Sequence, residues 1–176
     1  AALDAVKDRN TPYRRVRVIK GAIEVAGRSG AGTLGALPGD ADEKLAPYCD
    51  SVRDAAEALG YDESQQRTLF DRWITFGHPG YVRGRTFRNE ILIVTEAQNL
   101  ERGVLMTLLT RAGENSRVFL EGDLAQRDSP WVSRRDGVAS VVAKFKGHEL
   151  FGHMALKRVE RSPIAELAAR VLDDGA

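Results

Sequence analysis

Cysteine is almost absent from this chain of 176 residues. Cys49 stands alone, which excludes an internal disulfide and a cysteine-based zinc site. Long apolar runs are missing too. Nothing approaches the roughly 18 residues needed to span a bilayer, so no membrane partner is expected. The N-terminus Ala1-Ala2-Leu3-Asp4 is neither basic nor followed by an apolar core, so it does not read as a secretory signal. A cytoplasmic location is the default expectation. Charge of one sign does not dominate: the net charge of +1 argues neither for nor against nucleic acid. His78, His148 and His153 show no metal-ligand spacing, and a Ser-His-Asp triad is recognised in space rather than by spacing. An initiator Met is also lacking. Ala1 to Arg9 reads as the last turns of a helix begun further upstream, which fits a processed chain, a truncated chain or a fragment.

What is there reads as a globular domain, with 43% hydrophobic and 29% charged residues. The expectation is a single domain over residues 1–176 that is incomplete at its N-terminus. Arg15 to Lys20 has the pattern of a strand, and Gly27 to Gly35 carries too many glycines for regular structure. Asp40-Ala41-Asp42-Glu43 puts negative charge at the start of a helix running to about Leu59, with Gly60 as its stop. Pro47 either splits that helix or marks a second start. A further helix is expected from about Asp62 to Trp73. Then follow a strand at Ile91 to Val94, a helix at Glu101 to Arg111 closed by Gly113, and a strand at Arg117 to Glu121. Asp136 to Phe145 reads as a helix and Met154 to Arg158 as a short strand. Ser162 to Leu172 reads as a final helix, with Ser162 at its N-cap and Pro163 at its first position. Strands alternating with helices predict an α/β fold with a mostly parallel sheet.

The candidate chemistry sits at Ile91-Leu92-Ile93-Val94-Thr95-Glu96-Ala97-Gln98-Asn99. Four apolar, mostly β-branched residues read as a strand buried on both faces. Polar groups just past the C-terminal end of such a strand lie where open α/β sheets bind ligands. In P-loop nucleotide hydrolases a magnesium-holding Asp and a water-activating Glu occupy this place. Glu96 is present, but Thr95 fills the position expected for the Asp. A phosphate loop of the form Gly-x-x-x-x-Gly-Lys-Ser/Thr is not found: Gly27 to Thr33 gives Gly-x-x-x-x-Gly-Thr without the Lys, ahead of an acidic stretch. That segment reads better as a surface loop.

Glu121-Gly122-Asp123-Leu124-Ala125-Gln126 ends the next strand. A Gly-Asp turn there puts the Asp123 carboxylate and the Gln126 amide beside the neighbouring strand end. An amide so placed can sense a terminal phosphate or orient the attacking water, while Gly and Asp are also ordinary turn formers. Arg161 stands just before the N-cap of the last helix, where a guanidinium can reach a phosphate at a sheet edge. The alternative is a solvated surface arginine. Arg83 and Arg85, flanking Gly84, invite the same two readings, as a grip on phosphates or as solvated cations.

Taken together, several segments resemble the PhoH-like family of ATPases within the P-loop, helicase-related group. They are Leu34-Gly35-Ala36-Leu37-Pro38-Gly39-Asp40 with Glu43-Lys44 and Pro47-Tyr48, then Arg83-Gly84-Arg85-Thr86-Phe87 and Glu96-Ala97-Gln98-Asn99. Thr110-Arg111, Gly122-Asp123 with Gln126 and Asp128, Phe151-Gly152-His153 and Glu160-Arg161-Ser162 complete the set. Order and spacing agree from about Arg15 to Ala169.

The resemblance implies a RecA-like P-loop NTPase fold, a three-layer α/β sandwich lacking here its N-terminal strand and Walker A loop. It implies ATP binding and hydrolysis with magnesium and a link to RNA unwinding or remodelling. It also implies ring-like homo-oligomers in which an arginine of one subunit reaches the ATP of the next. Glu96 would then be the water-activating carboxylate, Gln126 the γ-phosphate sensor and Arg161 the arginine finger. Thr95, Asp123, Arg83 and Arg85 would contact the nucleotide, and Thr95 and Glu96 would hold Mg through water. Two departures weaken hydrolysis by this chain: the missing phosphate loop, and a neutral hydroxyl at Thr95 that cannot offset the metal's charge. The rival expectation is a non-catalytic module that keeps the fold for assembly or nucleic-acid contact.

Overall fold

A computed structural model describes residues 1–21, 41–124, 126, 132–133, 135–156, 162–164, 167 and 171. The glycine-rich stretch at Gly27 to Gly35 and Arg161 lie outside the described residues.

Four parallel strands form the sheet: β1 (Arg15–Lys20), β2 (Ile74–Gly77), β3 (Glu90–Thr95) and β4 (Arg117–Leu120), in the order β2-β1-β3-β4. Val16 pairs with Ile74 on one side and Ile91 on the other, and Leu92 pairs with Val118. Side chains alternate across the sheet with period two, and this alternation builds two cores. On one face Val16, Val18, Ile74 and Ile91 pack with Val6, Ala56 and Leu69. Those three residues belong to α1 (Ala2–Lys7), α2 (Ala41–Ala58) and α3 (Glu63–Arg72). On the other face Ile19, Leu92 and Val94 pack with Leu105 and Leu108 of α4 (Arg102–Leu109) and Val141 of α5 (Val138–Phe145). The result is helix–sheet–helix, the three-layer, parallel α/β arrangement expected from the sequence. Central β3 is enclosed, with Leu92 and Val94 fully buried, whereas β4 is half-exposed and, among the described residues, pairs only with β3.

α3 starts where its residues dictate. The Asp62 carboxylate accepts the Gln65 backbone N–H at 2.9 Å, and the Gln65 side-chain oxygen accepts the Asp62 N–H at 2.9 Å, a reciprocal capping box. Two expectations need correction, and one element was missed. The helix containing Pro47 is unbroken from Ala41 to Ala58; one missing N–H is tolerated within its 18 residues. β2 was not anticipated, because only Trp73 separates it from α3 and no turn residue announces it. Met154 to Leu156, the described part of the expected short strand, has no regular structure. No described helix is long and apolar enough to cross a membrane.

Candidate functional site

The carboxyl ends of β1, β3 and β4 are held together by main-chain hydrogen bonds. Gly21 N–H donates to the Thr95 carbonyl at 2.7 Å, and Glu121 N–H donates to the Val94 carbonyl at 2.9 Å. The chain then crosses back, with Ala97 N–H donating to the Glu121 carbonyl at 2.9 Å. Three polar segments therefore meet at one edge of the sheet: Lys20-Gly21, Thr95-Glu96 and Glu121-Gly122-Asp123.

Glu96 leaves β3 in a left-handed backbone conformation, φ 53° and ψ 35°. For a residue with a Cβ this costs on the order of 1–2 kcal/mol, so the surroundings must hold it. Two glycines make the space. A Cβ on Gly21 would come within 2.6 Å of the Glu96 carbonyl oxygen. A Cβ on Gly122 would collide with Gln98 Oε1. The sharp exit turns the chain into a short 3-10 segment, Ala97–Asn99, whose three residues are buried, while the Glu96 side chain stays exposed.

Gln98 belongs to the Glu96-Ala97-Gln98-Asn99 segment quoted from the sequence, where the sequence alone assigns it no role, yet its side chain connects the parts of this corner. It is 2% exposed. Its Nε2 donates to Glu96 Oε2 at 2.7 Å and to the Gln126 main-chain carbonyl at 3.2 Å. Its Oε1 is buried without a hydrogen-bond partner. The Gln126 N–H in turn donates to the Asp123 carbonyl at 3.1 Å, closing the turn after β4. The sequence signals for Gln98 are its place two residues after a strand-end carboxylate and its membership of the Glu96-Ala97-Gln98-Asn99 segment.

Thr95, Glu96, Asp123 and Gln126 thus gather around one corner, between the ends of β3 and β4. Thr95 is half-buried, and Glu96, Asp123 and Gln126 are exposed. Arg83 and Arg85 are exposed and stand elsewhere. Arg85 lines a shallow cavity with Arg17, Phe76, Gly77, His78 and Phe87, over β1 and β2 rather than β4. One of its lining residues, Arg17, is held in an ion pair largely shielded from water. Arg17 Nε lies 2.9 Å from Glu90 Oε2 and its Nη2 3.3 Å from Oε1, a two-pronged contact, with the guanidinium 5.2 Å from the Phe87 ring centre.

Among the described residues no group of three or more His, Cys, Asp or Glu is arranged to hold a metal ion. The strand-end donors are one neutral hydroxyl, Thr95, and one carboxylate, Glu96, which already accepts a hydrogen bond from Gln98. This set fits a magnesium ion that keeps most of its water shell and is carried mainly by phosphate oxygens, and does not form an all-protein cage.

Comparison with known proteins agrees with the geometry. The profile of the family described as PhoH-like protein matches residues 1–173. The chain is 44% identical over 175 residues to Protein PhoH2 of Thermobispora bispora, covering 99% of this chain and 39% of that protein. It is 42% identical over 174 residues to Protein PhoH2 of Mycolicibacterium smegmatis, again 99% of this chain and 39% of the relative. Protein PhoH of Escherichia coli is 37% identical over 122 residues, 68% of this chain and 34% of the relative. The chain therefore spans about two fifths of the length of the first two relatives. With its four parallel strands and flanking helices it has an α/β fold of the RecA-like P-loop type, and it belongs to the PhoH-like protein family.

Proposed function

We propose that this chain is part of an ATP-binding P-loop ATPase of the PhoH-like type, in which Glu96 activates the attacking water. The observation that carries this reading is the placement of Glu96. It is an exposed carboxylate at the carboxyl end of the enclosed central strand, held by a buried amide beside the turn that bears Gln126. A carboxylate so fixed takes a proton from water, and an amide on the adjacent turn orients that water or senses the terminal phosphate. When bound, magnesium would neutralise phosphate charge, with Thr95 and Glu96 touching its water shell. In this reading Asp123 contributes to the same shell or to the nucleotide. Arg83 and Arg85 serve phosphate groups of nucleotide or RNA, and Arg161 acts in trans on a neighbouring copy within a homo-oligomer.

The 176 residues contain no Gly-x-x-x-x-Gly-Lys-Ser/Thr sequence, so this reading requires a phosphate loop from residues beyond them. The half-exposed β4 supports it, because its outer edge is open, among the described residues, to a further parallel strand. RNA unwinding or remodelling by a cytoplasmic homo-oligomer is the corresponding physiological proposal. Its test is RNA affinity against salt. Phosphate contacts give a steep decline, and a flat profile would remove RNA from the account.

Thr95 favours a second reading. Without an acidic metal ligand before Glu96, the chain would keep the fold as a non-catalytic assembly or nucleic-acid-binding module. The two are separated by measuring ATP binding and turnover in the full-length protein and in its Thr95→Asp variant. A large gain on restoring the carboxylate supports the ATPase. Binding without turnover in either form supports the module, and no ATP binding in either form sinks the nucleotide reading.

A further inference from the structure

We infer that Gln98 is a positioning residue that fixes the direction of the Glu96 carboxylate and ties it to the main chain at Gln126. The inference rests on the hydrolytic reading above and adds a residue that orients the base within that site.

The geometry carries it in three steps. First, the primary amide has two N–H hydrogens, and both are used: Nε2 donates to Glu96 Oε2 at 2.7 Å and to the Gln126 carbonyl at 3.2 Å. One rigid planar group therefore bridges the base and the main chain of the sensor residue. Second, the amide cannot work the other way round. Inverted, its oxygen would face a carboxylate and a carbonyl, two acceptors, and the bridge would become a repulsion. Third, Gln98 cannot move aside. It is 2% exposed, and Gly122 lies so close that even a methyl group there would strike Oε1. Oε1 meanwhile has no partner although it is buried. A buried acceptor left bare is unfavourable, so packing that keeps it there serves the two donated bonds. The turn is exposed from Glu121 to Leu124 and at Gln126, so the amide joins a buried strand end to a solvent-facing segment. The Gln98 amide, fixed by its packing and by the Gln126 carbonyl, thus sets the direction of the Glu96 carboxylate.

The test uses the full-length protein with Gln98→Met, which removes both donors at similar length, and Gln98→Glu, which sets a second carboxylate beside Glu96. Two measurements are made: steady-state ATP turnover, and amide hydrogen exchange without nucleotide. The expected result is a kcat lower by roughly ten- to a hundredfold in Gln98→Met, with KM for ATP within about threefold. Gln98→Glu is expected to be at least as slow. Exchange is expected to quicken by about tenfold or more in the 122–126 turn, with β3 and β4 unchanged. An unchanged kcat overturns the proposal. So does a joint loss of kcat and KM with faster exchange throughout the sheet, the signature of a purely structural residue. If neither the parent protein nor its Thr95→Asp variant turns over ATP, the hydrolytic reading fails by itself. The exchange comparison still decides the bridge: no change at 122–126 in Gln98→Met overturns it.

Discussion

The carbonyl oxygen of Glu96 occupies the space into which a side chain on Gly21 would project, leaving a Cβ only 2.6 Å away. Two strand ends, β1 and β3, are thereby brought closer than any other residue type at position 21 allows. The left-handed exit of Glu96 depends on this approach. Gly21→Ala is expected to destabilise the fold by about 1–3 kcal/mol, as overpacking of a close contact does. Urea unfolding checks it, and a wild-type midpoint would mean that the contact relaxes freely.

Gly103 supplies the opposite case. It lies inside α4, and a Cβ built on it meets nothing within 4 Å. Gly103→Ala is expected to stabilise the protein by about 0.5–1 kcal/mol through reduced backbone freedom in the unfolded chain. A lower unfolding midpoint would show that the helix surface there is covered.

Arg17 and Glu90 are 8% and 15% exposed in their side chains. Removing one partner leaves a charge in a site shielded from water. Arg17→Met alone, or Glu90→Met alone, is expected to cost about 3–5 kcal/mol, whereas the double variant Arg17→Met/Glu90→Met recovers most of the loss. A double-mutant cycle in urea measures the coupling. Additive losses would contradict the pairing.

The Asp62 carboxyl is held below its ordinary value of 3.8, chiefly by the Gln65 main-chain N–H and then by the Ser64 hydroxyl. A depressed acid stabilises the fold above its unfolded pKa, and that contribution fades as pH falls through the lower folded value. Asp62→Ala should therefore lower the thermal midpoint at neutral pH, with the gap to wild type closing as pH falls below the ordinary carboxyl value of 3.8. A gap that persists undiminished in strong acid would show that the cap does not act through the ionised carboxylate.

Much of this arrangement was legible in the sequence because it is written locally. The β-branched runs at Arg15 to Lys20 and Ile91 to Val94 specify β1 and β3, and Asp62 with Gln65 specifies the start of α3. The place of Glu96 follows from its position just after an enclosed strand. What was not legible depends on partners distant in sequence. β2 is only four residues long and gains its order by pairing with β1. Arg17 is buried because Glu90, 73 residues away, meets it. Gln98 reads as one more polar residue until the turn after β4 folds against it, 28 residues on at Gln126.

The central claim is that Glu96 is the base of an ATP-hydrolysing site weakened by Thr95. The most direct test is ATP turnover by the full-length protein carrying Thr95→Asp, with and without Glu96→Gln. The account predicts a gain of roughly tenfold or more from Thr95→Asp, and a fall of at least about a hundredfold when Glu96→Gln is added. Turnover that survives Glu96→Gln unchanged would contradict it.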